Sequence, residues 1–243
     1  MQPQDILSNY SAVDERIKAA ANRCGRSPAE VQLVVVTKGH PVATIRQVIE
    51  AGAQCLGENY VEEAEPKIAE LSKHAALQWH MIGHVQSRKA RAVCSLFSYL
   101  HSLDSVKLAE RLDRFAGEMG IRLPVLLECN VSGEESKSGF PAWQEDCWPE
   151  LNATLLRVTA CANLEVRGLM TMAPFLPQAE MARPYFQRLR RLQAFLCKEI
   201  PQARWSELSM GMSADYEVAI EEGATLVRVG TAILGPRPIL KEM

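Results

Sequence analysis

Lys38 ends an aliphatic run, in the stretch LVVVTKGHP at residues 33–41. Leu33 to Val36 read as a strand buried on both faces, because the run is continuous rather than alternating. Gly39 and Pro41 end it, so the Lys38 ammonium sits where a buried strand opens into a loop. Desolvation there disfavours the charged form and leaves an amine able to attack a carbonyl carbon. Two later stretches offer a different chemistry. LSMGMSAD (208–215) and VRVGTAILG (227–235) carry Ser209, Gly230 and Thr231 at sharp turns. Glycines let backbone N–H groups approach an anion, and the hydroxyls add donors. Taken singly, these residues read as turn glycines and helix caps, and Lys38 as a lysine paired with Glu58 or Asp104.

What joins them is the pattern of elements. Apolar runs fall near 31–36, 53–56, 78–82, 97–100, 124–129, 164–169, 205–208 and 226–229. Helical stretches separate them, such as Pro41 to Ala51 ended by Gly52, and Pro177 to Ile200 ended by Pro201. Strand and helix in eightfold alternation predict an α/β fold, a closed (β/α)8 or TIM barrel. An extra helix, about Asp5 to Asn22, precedes the first strand. The alternative is an open doubly wound sheet. Its dinucleotide version needs G-x-G-x-x-G at the first strand-to-helix junction, where this chain has T-K-G-H-P. No linker or low-complexity segment interrupts the pattern, so residues 1–243 read as a single domain.

In a barrel, the C-terminal ends of the strands converge on one rim, where such folds carry their sites. Lys38 follows the first run, Gly57-Glu58-Asn59 the second, Gly83-His84 the third, and Ser102 and Asp104 the fourth. Asn130 follows the fifth, Met170-Thr171 closes the sixth, Ser209-Met210-Gly211 follows the seventh and Gly230-Thr231 the eighth. Loops after the last two strands form the recurring phosphate site of this fold. A nucleophilic amine and a phosphate site on one rim together predict pyridoxal 5'-phosphate, an aldehyde that brings its own phosphate.

The sequence resembles the pyridoxal phosphate homeostasis proteins, relatives of the N-terminal barrel of alanine racemase (fold type III among pyridoxal-phosphate proteins). The blocks that carry the resemblance are VVVTKGHP, GENYVEEA, WHMIGHVQSRKA, HSLD, NVSGEESKSGF, GLMTMAP and LSMGMSADYEVAIEEGATLVRVGTAILG, spread over nearly the whole chain. The resemblance implies that Lys38 forms a Schiff base with the cofactor, that Ser209, Gly230 and Thr231 hold the phosphate, and that Arg228 faces the pyridine nitrogen. Asn59 would lie near the ring, with Met210 and Met170 packed close by. Two positions depart from the family pattern, Arg88 where Asn is usual and Leu234 where Phe is frequent, and both look peripheral. Lys137, in SGEESKSG, also matches a family position and reads equally as a surface lysine of a solvated loop.

Composition narrows the remaining classes. The chain has 243 residues, net charge −2 and 47% hydrophobic residues, which gives no reason to expect nucleic acid or an acidic membrane as partner. No apolar run approaches the roughly 18 residues of a membrane span, and the N-terminus lacks a signal-peptide pattern. The seven cysteines are scattered with no C-x-x-C pair, which predicts reduced thiols in the cytoplasm. His80 and His84 flank a strand end and do not share a helix face, so no metal site is expected. Trp143 and Trp148 read as helix packing, and Arg188, Arg190 and Arg191 as a solvated face.

Two functions compete: a monomeric carrier that buffers or delivers the cofactor to apo-enzymes, and an amino-acid racemase or related enzyme. A Schiff-base aldolase without cofactor is a third. Arg228 holds its proton tightly, so beside a pyridine nitrogen it weakens the electron sink that carbanion chemistry uses. The resemblance adds that alanine racemase draws a second base from an added β-domain and a partner subunit. Only Gly235 to Met243 follow the last barrel unit here. Both features favour the carrier, with no catalytic residues.

Overall fold

The computed structural model describes residues 3–74 and 76–237. Residues 238–243, the end of the tail expected after the last barrel unit, lie outside the described residues. Among the described residues, nine strands occur in chain order: β1 (Gln32–Val36), β2 (Cys55–Glu58), β3 (Gln78–Met81), β4 (Tyr99–Leu103), β5 (Leu123–Asn130), β6 (Phe140–Pro141), β7 (Leu164–Met170), β8 (Glu207–Ser209) and β9 (Leu226–Val229). All pairings are parallel. The order β4-β3-β2-β1-β9-β8-β7-β5 closes on itself through β4–β5, giving an eight-stranded barrel. The two-residue β6 pairs with the end of β5 outside that circle and was not expected from the sequence.

The helices are α1 (Pro3–Arg23), α2 (Val42–Glu50), α3 (Val61–Glu70), α4 (Ala90–Leu96), α5 (Val106–Glu118), α6 (Trp148–Thr159), α7 (Arg183–Glu199), α8 (Tyr216–Glu221) and α9 (Thr231–Leu234). Helices α2 to α8 follow barrel strands and cover them, which is why the strands read as continuous apolar runs. All eight expected runs are strands, with ends displaced by a few residues. Gly57, Glu58, Ser102 and Asn130, expected just beyond strands, belong to them.

Two apolar layers follow from the alternation of side chains across each strand. Val34, Cys55, Tyr99, Leu126, Met170 and Leu226 fill the barrel interior. A larger shell between barrel and helices includes Val35, Leu56, Leu103, Leu127 and Val227. Gly168 permits the close approach of β7 to β8, since a Cβ there would lie 1.8 Å from the Glu207 carbonyl oxygen. The extra helix α1 buries Ile6, Val13, Ile17, Ala20 and Ala21 and packs on α2, α8 and α9, spanning the seam between the first and last barrel units. Arg23 pairs with Glu217 and Glu221 of α8 along the same contact.

Candidate functional site

Alternation along β1 sends Val34 into the barrel and Val35 into the outer shell. Continued two residues past the strand, it turns Lys38 inward at the mouth. The side chain is half-buried, and its pKa is lowered first by burial and then by the positive charges of Arg237 and Arg228, against Glu58 and Glu63. At any given pH the free-amine form therefore has a larger share than on a solvent-exposed lysine. Gly39 takes φ +75°, a turn conformation that suits glycine, and the aliphatic stem of Arg237 lies against it.

Behind Lys38, in the outer shell, is a buried ionic cluster. Lys67 of α3 donates to the Thr37 carbonyl (2.9 Å), Glu58 Oε1 (2.7 Å) and Glu63 Oε1 (2.6 Å). The Thr37 hydroxyl donates to Glu58 Oε1, and the Gly39 amide to Glu63 Oε1. In the sequence, Lys67 and Glu63 look like ordinary charges of an exposed helix face, and only the fold reveals their burial.

Inside the barrel, a polar layer lies beneath the mouth. The Arg228 guanidinium is buried, donating to Ser209 Oγ (2.5 Å) and the Thr171 carbonyl (2.8 Å), and it forms no ion pair among the described residues. Burial pushes its pKa down to about 10, which leaves it protonated at neutral pH. Ser209 Oγ also meets His101 Nδ1 at 2.9 Å, and His101 Nε2 meets His80 Nδ1 at 2.9 Å. The hydrogen-bond chain stops at His80 Nε2, buried without a partner among the described residues. Burial drives the His80 pKa to about 4 and that of His101 well below its ordinary value, so both imidazoles are neutral. Glu128 faces the opposite pressure. Burial and Asp104 raise it to about 7.

The hydroxyl at the last junction is Ser213, which accepts from the Gly230 and Ala232 amides at 3.3 Å each. Ser209 instead sits one layer deeper, fully buried and occupied by Arg228 and His101. Both serines lie in LSMGMSAD. Ser209, expected just after the seventh strand, is the last residue of β8, whereas Ser213 lies in the loop. Thr231 is exposed beside Gly230 at the start of α9. Asn59 stands on the rim after β2 with Oδ1 buried and without a partner among the described residues. Met170 fills the barrel interior, while the Met210 side chain lies in the outer shell.

The remaining sequence candidates take separate places. Lys137 Nζ reaches the Ala173 carbonyl at 3.3 Å, bridging two rim loops. His84 pairs with Asp104 at 2.8 Å, while His80 turns to His101, so the two histidines face different partners. Arg188 reaches the Val131 carbonyl and is less solvated than its neighbours Arg190 and Arg191. A cleft of about 550 Å³ opens along the rim between Asn59, Tyr60, His84, Arg88 and Glu128. Together the mouth offers an amine for a carbonyl carbon, a fixed guanidinium donor and a group of backbone amides for an anion.

A parallel eight-stranded barrel with an inward lysine after its first strand and clustered amides after its last defines a class, the lysine-bearing barrels of the alanine racemase type. Residues 8–238 match the family model for the alanine racemase N-terminal domain. The chain belongs to that family and, within it, to the pyridoxal phosphate homeostasis proteins. It is 43% identical over 235 residues to the pyridoxal phosphate homeostasis protein of Pseudomonas aeruginosa, covering 96% of each chain. Its identity to that of Vibrio cholerae is 39%, over 96% of this chain and 97% of the other. Among solved structures, PipY of Synechococcus elongatus with PLP bound superposes with a TM-score of 0.78 at 40% identity, covering 92% of this chain and all of that one. An alanine racemase of Clostridium difficile shares the fold alone, with a TM-score of 0.66 at 12% identity over 96% of this chain and 58% of its own.

Proposed function

We propose that this protein binds pyridoxal 5'-phosphate at the barrel mouth and serves intracellular homeostasis of that cofactor, buffering or delivering it without dedicated turnover. The observation that carries the reading is the convergence on one mouth of the Lys38 amine and the Arg228 guanidinium, which has no ion pair among the described residues. When bound, the cofactor supplies an aldehyde carbon and an electron-accepting pyridine ring. Lys38 would hold the aldehyde carbon through its amine, the aldehyde oxygen leaving as water. Arg228, held by Ser209 and the Thr171 carbonyl, would donate to the pyridine nitrogen. The amides of Gly230, Thr231 and Ala232, with the Ser213 and Thr231 hydroxyls, would hold the phosphate. The unpartnered Asn59 Oδ1 fits a donor or polar edge of the ligand.

The residues present fit the group on two counts: a depressed lysine pKa, and a buried cation that donates to no carboxylate among the described residues. Arg228 keeps its own proton at neutral pH, so it offers the ring a hydrogen bond rather than a proton. That supports a holding role over carbanion chemistry. We further propose a cytoplasmic monomer whose 243 residues act as one cofactor-binding domain, with apo pyridoxal-phosphate enzymes as recipients.

Borohydride reduction of the loaded protein, followed by peptide mass analysis, tests the site. The pyridoxyl group is expected on Lys38. A colourless protein that cannot be loaded, or an adduct found only at Lys137 or another lysine, overturns the assignment.

A further inference from the structure

Lys38 is flanked by two peptide units, and both are tied to the same buried cluster. The carbonyl and hydroxyl of Thr37 are held by Lys67 and Glu58, and the amide of Gly39 by Glu63. All three N–H donors of the Lys67 ammonium are used, on Thr37, Glu58 and Glu63. Lys67 is 5% exposed and Glu58 is fully buried. The cluster lies behind the barrel wall, because Val35 and Leu56, two residues before Thr37 and Glu58 on the same strand faces, belong to the outer shell.

A buried ion pair is a poor choice for stability alone, since well-packed apolar side chains serve as well. What apolar residues cannot do is hold a carbonyl and an amide on either side of one residue. We propose that Lys67, together with Glu58 and Glu63, is the positioning device for Lys38, fixing the backbone on both sides of it from behind the wall and setting the charge around its amine.

The cluster carries one cation and two carboxylates. The charged groups acting on the Lys38 amine are Glu58 of β2, Glu63 of α3, Arg228 of β9 and Arg237 after α9, with Lys67 on both carboxylates and His40 near Glu63. Glu63 is the accessible handle, because it is half-buried while Glu58 and Lys67 are not. Glu63→Gln keeps an oxygen for the Gly39 amide and for Lys67 but removes a negative charge. Glu63→Ala removes both.

The test uses the full chain without cofactor, with competitive acetylation across a pH series and Lys38 modification read by peptide mass analysis. Glu63→Gln is expected to move the Lys38 midpoint down by about one pH unit, since a nearby negative charge favours the ammonium. Glu65→Gln, on the exposed face of the same helix, is expected to leave it in place. In a second measurement, attachment of pyridoxal phosphate is followed by absorbance. Glu63→Ala is expected to slow it about tenfold, one tight contact's worth of orientation, and Glu63→Gln to restore the rate at the pH of its own midpoint. An unmoved midpoint in Glu63→Gln, or equal attachment rates for Glu63→Ala and the unaltered chain, overturns the proposal. Only the attachment measurement rests on Lys38 as the cofactor-bearing lysine. A borohydride adduct on another lysine defeats that reading, while the acetylation midpoint still reports on the clamp.

Discussion

Burial governs the charge states inside this barrel more than pairing does. Glu128 is 3% exposed and its pKa is raised from 4.5 to about 7, so the folded chain holds a proton that the unfolded chain has released. Its stabilising contribution is full below pH 4.5 and is lost as the pH rises to 7. His80 works in the other direction. Its folded pKa is about 4 against an ordinary 6.5, so stability is full above pH 6.5 and is lost as the pH falls toward 4, with His101 adding the same sign. Between 4.5 and 6.5 the two slopes oppose each other. Glu128→Gln, which mimics the protonated acid, removes one of them. At pH 8 this variant is expected to be more stable by about 3 kcal/mol, from ~1.4 kcal/mol per pKa unit, with the gap closing toward pH 4. Urea denaturation at a series of pH values reads the difference, and a gap that does not change with pH contradicts the charge assignment.

At the scale of elements, the turns after β8 and β9 divide the work between two serines. Ser213 joins the amides of Gly230 and Ala232 in the loop, and Ser209 orients Arg228 from the strand. Ser213→Ala is therefore expected to weaken pyridoxal phosphate binding roughly tenfold, the loss of one hydrogen bond to a charged group at about 1.5–3 kcal/mol, and to leave pyridoxal binding nearly unchanged. Ser209→Ala is expected to weaken both ligands alike. Titration of the two ligands against the two variants separates the roles, and a phosphate preference lost in Ser209→Ala reverses them. The serines also show where the sequence stops being legible. Eight buried parallel strands announce themselves as apolar runs, and the rim residues Lys38, Asn59 and Gly230 follow from the strand ends. His80, His101, Glu128 and Arg228 lie within strands, and their common layer appears only once the barrel closes. Lys67 is hidden for a different reason. GENYVEEAEPK has the charge density of a solvated helix face, and no local pattern tells which of its charges turns inward.

For the molecule as a whole, holding and delivering a cofactor asks for a bond that forms readily at Lys38 and can be undone, with little driving force toward proton removal from a bound amino acid. Lys38 has a lowered pKa without full burial, which suits reversible attachment and access by water. Arg228 remains cationic with its proton retained, so on the proposed reading it would give the ring only a hydrogen bond and stabilise a carbanion poorly. Glu128, near neutrality at the mouth, is the group that an amino-acid enzyme reading would enlist for acid–base work, and that reading predicts fast exchange of a substrate's α-proton. Exchange at Cα of alanine and other amino acids can be followed by NMR in deuterated water, beside the activity gained by an apo pyridoxal-phosphate enzyme mixed with the loaded protein. Typical enzymes turn over at about 1–1000 per second. The carrier predicts exchange many orders of magnitude slower, together with reactivation of the apo-enzyme. Sustained exchange or racemisation within the enzymatic range, abolished by Glu128→Gln, decides for catalysis instead.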